Sequence, residues 1–106
     1  MKLLVVTAVQ ECLNDISKIF NQAQISVFSI TDTIGVKASE PVNLLDNWFA
    51  SGKEKFNSAF IFSFTENENA EKVLQLINEF NTSRATDFPI RGFILPVEKF
   101  NLNTNK

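Results

Sequence analysis

Few side chains in this sequence could act as a nucleophile, an acid–base group or a soft-metal ligand. It contains one cysteine, Cys12, and no histidine, so it lacks the commonest acid–base group at neutral pH. A cysteine becomes reactive where positive charge lowers its pKa, but Cys12 follows Glu11 and lies close to Asp15 in the sequence. We interpret Cys12 as a partly buried structural residue. A single cysteine allows neither an intrachain disulfide nor a CxxC site.

Carboxylates are the second group with chemical potential. Glu66, Asn67 and Glu68 could offer oxygen ligands to a hard cation. The alternative, which we favour, is that these residues begin a helix, where negative charge stabilises the unpaired N–H groups. The three glycines form no phosphate-binding loop, and no G-x-S-x-G motif is present. We therefore expect that the protein is not an enzyme and has no metal site.

The charge distribution argues against a polyanionic partner. The 106 residues carry a formal net charge of −2, and the cationic side chains are spread along the chain. A nucleic-acid surface needs clustered cations to neutralise phosphates. No stretch approaches the ~20 apolar residues that cross a bilayer, and the N-terminal apolar run lacks a signal-peptide cleavage site. We expect a cytoplasmic protein that binds no nucleic acid and does not insert into membranes.

Four segments have the composition of β-strands. Residues 2–9 form a valine-rich apolar run, which is typical of a central strand. β-branched and aromatic residues also predict strands over 25–34, 57–65 and 88–97, the last ended by Pro96.

Two segments have the apolar spacing of amphipathic helices. Between Glu11 and Ala23 apolar residues recur every three or four positions. A second helix is predicted after Thr65, because Thr65 and Glu68 match the capping-box pattern, with Asn67 as an alternative cap. Its apolar face would consist of Ala70, Val73, Leu74, Ile77 and Phe80. The polar residues 81–87 are predicted to form a loop.

The order of these elements, strand–helix–strand–strand–helix–strand, predicts the fold class. Two βαβ halves of this length form a ferredoxin-like βαββαβ sandwich of the α+β class, in which a four-stranded antiparallel sheet carries two helices on one face. We assign residues 1–100 to a single domain and 101–106 to a polar C-terminal tail.

A long insert, residues 36–56, separates the second and third strands. Hairpin strands are usually joined by two to five residues, and longer segments in compact domains are often functional. A proline near its start and a glycine near its end favour a short helix within it. That helix could cover the sheet edge of its own chain. Alternatively, Leu45, Trp48 and Phe49 could contact a partner protein, since tryptophan is favoured in interfaces.

The predicted strands are apolar on both faces. Two helices cover one face of the sheet, so a monomer should have polar side chains on the other. The third strand instead places Phe60, Phe62 and Phe64 opposite Ala59 and Ile61. Burying several hundred Å² of such surface contributes on the order of 10 kcal/mol per subunit before association costs. We predict a closed oligomer; the alternative is a monomer whose insert covers this face.

RNA-recognition modules share this order of elements and stack bases on aromatic residues of the third strand. Phe60 and Phe62 match part of that pattern. Ser58 and Ser63, however, occupy positions where a glycine and an aromatic residue are required. Together with the acidic charge, this argues against RNA binding.

The sequence from residue 61 onward resembles the PII family of signalling proteins. Residues 93–98, Phe-Ile-Leu-Pro-Val-Glu, are similar to the F-[VI]-L-P-V-E run of that family. Residues 61–66, followed by Ala-Glu-Lys-Val at 70–73, resemble its third strand and second helix. The insert 36–56 occupies the position of the T-loop, through which PII proteins contact their partners. The order of elements matches over about 100 residues.

The resemblance implies a homotrimer whose sheets pack together in the centre. It also implies small-ligand sites in the clefts between subunits, formed by the insert base, the loop before the fourth strand and the C-terminal segment. The residues that it places there are Gly35, Lys37, Arg84, Arg91 and Lys99.

This sequence departs from the family pattern at the nucleotide site. ATP-binding members have a glycine-rich loop before the fourth strand, where bare backbone approaches the phosphates, but residues 81–87 contain no glycine. Leu102 and Thr104 stand where the family has arginines, and Trp48 replaces the insert's tyrosine. We therefore assign no cofactor: a nucleotide suits the fold, but the usual ATP-site glycines and arginines are missing.

Two functions follow from the resemblance. The first is a trimeric regulator that senses a small ligand between subunits and contacts a partner protein, such as a membrane transporter or an enzyme, through the insert. The alternative is a constitutive interaction module, for example one docked to a membrane transporter, that senses no ligand.

Overall fold

The computed structural model describes residues 1–37, 54–84 and 88–101. A short 3-10 turn, Gln10–Cys12, precedes the first helix. The strands and helices are β1 (Lys2–Val9), α1 (Leu13–Gln22), β2 (Ser29–Lys37), β3 (Glu54–Thr65), α2 (Asn67–Ser83) and β4 (Arg91–Pro96).

The four strands form one antiparallel sheet in the order β2-β3-β1-β4. Helix α1 connects β1 to β2 across β3, and α2 connects β3 to β4 across β1. This arrangement of two interleaved βαβ units is the ferredoxin-like fold. The predicted fold class is confirmed.

Alternation along β1 divides the sheet into a covered face and an open face. Leu4, Val6 and Ala8 are buried, whereas the residues between them are only half-buried. In the register, Leu4 lies opposite Ser63 and Val6 opposite Ile61. Since strand side chains alternate in direction, the buried set marks the face that packs against the two helices.

Both helices bury the apolar stripes that their sequences predict. In α1 the buried residues are Ile16, Ile19 and Phe20, and in α2 they are Ala70, Val73 and Ile77. Together with the covered face of β1 and β3 they form one hydrophobic core.

Helix α2 packs directly on the backbone of β4. Gly92 lies opposite Val6 on the covered face. A Cβ atom on Gly92 would lie 2.5 Å from Leu74 Cδ2 and 3.0 Å from Ile77 Cδ1, closer than side chains normally approach. The missing side chain therefore sets the distance between α2 and the sheet.

The second strand begins later than predicted because α1 ends in a Schellman motif. Gln24 has φ 62°, and the amide of Ile25 donates to the carbonyl of Phe20 at 2.9 Å. Ile25 then enters the core, and Ser63 Oγ donates to the carbonyl of Val27 at 2.7 Å. Residues 25–28 are thus a connection, and β2 extends through Lys37 instead of ending at residue 34.

Helix α2 also differs from its predicted boundaries. Glu66 is the N-cap and makes no side-chain cap hydrogen bond, so the predicted capping box at Thr65 does not form. The helix continues to Ser83, and the Thr82 and Ser83 hydroxyls donate to the carbonyls of Asn78 and Phe80 in the preceding turn. Residues 81–83 are therefore helical and not part of a loop.

Two further boundaries concern the insert and β4. Residues 36–37 and 54–56 belong to β2 and β3, and residues 38–53 lie outside the described residues. The fourth strand begins at Arg91, three residues after the predicted start. No helix within the described parts of the chain is long and apolar enough to cross a membrane.

Candidate functional site

An open groove of about 960 Å³ lies where the end of β1 meets the strands that lead into the insert. Its volume is within the range of small-molecule sites. The apolar part of its lining consists of Val9, Ile34, Phe56, Phe80 and Phe88. The polar part consists of Gln10, Glu11, Cys12, Asn57 and Arg84. Residues from β1, β2, β3, α2 and the loop before β4 therefore meet at one place.

A pair of aromatic rings joins the insert base to the loop before β4. The rings of Phe56 and Phe88 have centroids 4.6 Å apart and planes inclined by 49°. Phe56 lies opposite Gly35 in the β2–β3 register, and a Cβ atom on Gly35 would overlap the Phe56 ring. Gly35 thus makes room for the ring that contacts Phe88.

The substitution Gly35→Ala should displace the Phe56 ring and lower the free energy of unfolding by about 1–2 kcal/mol, from overpacking and a weakened aromatic pair. Chemical denaturation in urea measures this loss. Thr33→Ala, an exposed change in the same strand, is the control.

A double variant tests the steric explanation of that loss. In a Phe56→Leu background the effect of Gly35→Ala should shrink, because the overlapping ring is gone. An equal loss in both backgrounds would contradict the role assigned to Gly35.

Arg84 is the cation among the described residues that line the groove. Its Nη2 atom lies 3.7 Å from Asp15 Oδ1, and its guanidinium carbon lies 4.7 Å from the centroid of the Phe80 ring. The arginine side chain remains 60% exposed. The ion pair and the ring therefore orient the guanidinium while leaving most of it accessible.

Arg91 lines a smaller depression of about 240 Å³ that adjoins the groove. The two share Val9, Phe56 and Phe88. Arg91 lies opposite Thr7 in the β1–β4 register, on the open face of the sheet. Arg84 and Arg91, both predicted to bind a ligand, are thus placed around the same aromatic pair.

Lys99 lies at the other end of the sheet. It follows Pro96, whose register partner is Lys2, whereas the groove lies beyond Val9. The length of β1 between Lys2 and Val9 corresponds to about 24 Å. A single chain therefore does not bring Lys99 to the groove.

The remaining predicted residues are not placed by the described structure. Lys37 ends β2, where its backbone pairs with Glu54, but its side chain lies outside the described part. Leu45, Trp48 and Phe49 also lie outside the described residues.

The single thiol of the groove is not activated. Burial raises the pKa of Cys12, the Asp15 carboxylate raises it further, and Arg84 opposes both effects. Cys12 is therefore a neutral thiol at physiological pH. Within residues 1–37, 54–84 and 88–101, no group of three or more His, Cys, Asp or Glu side chains is positioned to hold a metal ion. The groove offers aromatic surface, amides and a guanidinium, which are suited to binding.

Asn81 positions the loop that carries Arg84 and Phe88. Its Nδ2 atom donates to the carbonyl of Ile90 at 2.8 Å, and its Oδ1 atom accepts from the amide of Ile90 at 3.1 Å. The side chain thereby closes the loop between α2 and β4. In the sequence, Asn81 directly follows Phe80, the last residue of the apolar stripe predicted for α2. A polar residue at that position is the signal that could have identified Asn81 as a contact to the following loop.

The open face of the sheet carries a continuous apolar stripe. Leu3 lies between Phe64 and Leu95, and Val5 lies between Phe62 and Phe93. Phe64 is 58% exposed and Phe93 50% exposed. The predicted apolar surface opposite the helices is present on the described chain.

The fold and the groove define an α+β ferredoxin-like protein whose accessible site is suited to binding. Among solved structures, the chain is similar to a protein of Thermus thermophilus described as a candidate PII-like signalling protein. The two share 14% sequence identity with a TM-score of 0.61, over 88% of this chain and 82% of that one. At this identity the similarity shows a shared, PII-like fold. No protein-family model and no curated protein matches the sequence.

Proposed function

We propose that this protein is a cytoplasmic PII-like regulator that acts by binding, not by catalysis. It senses a small ligand in the groove and passes the bound state to a partner protein through the insert. The observation that carries the proposal is the position of the groove. Ile34 and Phe56 lie within three residues of Lys37 and Glu54, where the insert leaves the sheet, so an occupant contacts the base of the insert.

The mechanism is a population shift of the insert. A ligand that contacts Ile34, Phe56 and Phe88 favours the arrangement in which the insert base is held against the loop before β4. The Phe56–Phe88 pair already joins these two parts. The partner protein then binds one arrangement of the insert more tightly than the other.

Self-association belongs to the same proposal. The apolar stripe on the open face supports a homotrimer whose sheets face one another, and this packing removes the exposed rings from water. A trimer would also place the C-terminal segment of one subunit near another, which is the route by which Lys99 could reach a neighbouring groove.

Thermal unfolding with a panel of nucleotides, organic acids and metal ions tests the sensor. At least one ligand should raise the midpoint of unfolding and slow the cleavage of the insert by chymotrypsin, which cuts after aromatic residues such as Trp48. If no ligand stabilises the protein and the cleavage rate never changes, the proposed ligand-sensing function is wrong. The constitutive interaction module then remains.

A further inference from the structure

We propose that the groove binds a small aromatic carboxylate with a single negative charge, in preference to a nucleoside triphosphate. This inference rests on the proposed function, because it names the ligand class of the same groove. It is carried by the geometry of Arg84, by the aromatic lining and by the charge balance of the site.

The guanidinium of Arg84 has donors available for a carboxylate. The 3.7 Å separation from Asp15 is longer than a hydrogen bond. Within the described parts of the chain, no side chain or carbonyl accepts a hydrogen bond from Arg84. The Phe80 ring lies beneath the guanidinium at 4.7 Å, so the planar fork is already oriented. A carboxylate can pair with two of its N–H groups at once.

The groove also has a surface for a flat apolar body. Phe56 and Phe88 present two rings inclined by 49°, with Val9 and Ile34 beside them. Aromatic rings pack favourably against one another in offset or edge-to-face arrangements. An aromatic ligand can therefore contact the Phe56–Phe88 pair while its carboxylate reaches Arg84, since all three line the same groove.

The charges of the described residues around the groove fit one negative charge. Among its described lining residues Arg84 is a cation and Glu11 an anion, and Asp15 already faces Arg84. Arg91 lines the adjoining depression instead. The Cys12 thiol, whose pKa is raised, adds no charge. A triphosphate would bring several negative charges to a groove whose described charged groups are Glu11, Arg84 and the neighbouring Asp15, which is unfavourable.

Calorimetric titration of the full chain with benzoate, phenylacetate and indole-3-acetate tests the ligand class. At least one of the three should bind, whereas acetate, benzyl alcohol and ATP should bind at least 10-fold more weakly. Acetate lacks the ring and benzyl alcohol lacks the charge, so the two controls separate the contributions of the aromatic ring and of the carboxylate to the affinity. Trp48 is the only tryptophan, and its fluorescence reports whether the insert responds to benzoate and phenylacetate, which lack an indole fluorophore.

Variants then assign the charge contact. Arg84→Ala should weaken binding by about 10- to 100-fold through the loss of charge-assisted hydrogen bonds. Arg84→Lys, which keeps the charge but not the planar fork, should lie between that variant and the unmodified protein. Lys72→Ala removes the same charge from an exposed position on α2 and should change nothing. Circular dichroism verifies that each variant is folded.

The possible results separate the two proposals. Tight binding of ATP with no binding of the three carboxylates would overturn the ligand class and leave the sensor intact. Carboxylate binding that Arg84→Ala does not weaken would overturn the assigned contact. If nothing binds and the panel stabilises nothing, the proposed function itself fails.

Discussion

Replacing Phe93 with aspartate is expected to convert the protein from an oligomer into a monomer. Phe93 lies beside Val5 in the centre of the apolar stripe and is 50% exposed on the single chain. Packing a second sheet against this stripe would bury an unpaired carboxylate in the variant, at a cost on the order of several kcal/mol per subunit. The lost burial of the ring adds about 2–3 kcal/mol.

Size-exclusion chromatography with light scattering measures this change. The unmodified protein should have about three times the 12.0 kDa mass of one chain, and Phe93→Asp should have the mass of one chain. Val27→Asp is the matched control, because Val27 is 79% exposed and precedes β2 outside the stripe. A monomeric unmodified protein, or an oligomeric Phe93→Asp variant, would show that the open face does not mediate association.

The substitution Asn81→Ala should lower the free energy of unfolding by about 2–4 kcal/mol. It leaves both the amide and the carbonyl of Ile90 without the partner that Asn81 provides, and each unpaired polar group costs about 1–3 kcal/mol where it is shielded from water. The backbone of Ile90 is poorly accessible to solvent, since the residue is 1% exposed. Urea denaturation measures the loss.

Two related variants define the contribution of Asn81. Asn78→Ala, three residues earlier on an exposed position of the same helix, should cost much less. Asn81→Asp keeps the acceptor for the Ile90 amide but loses the donor to the Ile90 carbonyl. Its free energy of unfolding should therefore be lower than that of Asn78→Ala. Hydrogen exchange at the Ile90 amide should accelerate in Asn81→Ala. Equal stability of Asn81→Ala and Asn78→Ala would show that the hydrogen bonds between Asn81 and Ile90 do not stabilise the fold.

The groove and the open face are physically linked through β1. The same strand contributes Leu3 and Val5 to the apolar stripe and ends at Val9, which lines the groove. Arg91 lies on the open face next to Thr7 and also lines the depression beside the groove. Association through the stripe would therefore cover part of the surroundings of Arg91, so subunit contact and ligand binding can influence each other.

Local patterns were sufficient to predict the architecture. The apolar spacing of α1 and α2 identified the helices, because a buried stripe must recur with the period of the helix. The alternation in β3 identified two apolar faces, and the structure places Ile61 inside and Phe64 outside. These features depend on neighbours within a few residues, which a sequence shows directly.

The ends of elements were less predictable because they depend on side chains elsewhere in the fold. The start of β2 is delayed by the turn at Gln24 and by the bond from Ser63, 36 residues away from its acceptor Val27. Polar residues at the end of α2 were interpreted as a loop, although their hydroxyls bond to the carbonyls of their own helix.

By itself, the sequence determined the ferredoxin-like fold and the apolar face opposite the helices, and its resemblance to the PII family predicted Gly35, Arg84 and Arg91 as ligand-site residues. Only the tertiary structure decided which side chains these residues contact. The Phe56 ring packs against Gly35 and contacts Phe88. Arg84 lies close to both Asp15 and the Phe80 ring. These contacts join residues far apart in the chain, and their geometry follows from strand register and helix packing, for which local periodicity carries no information.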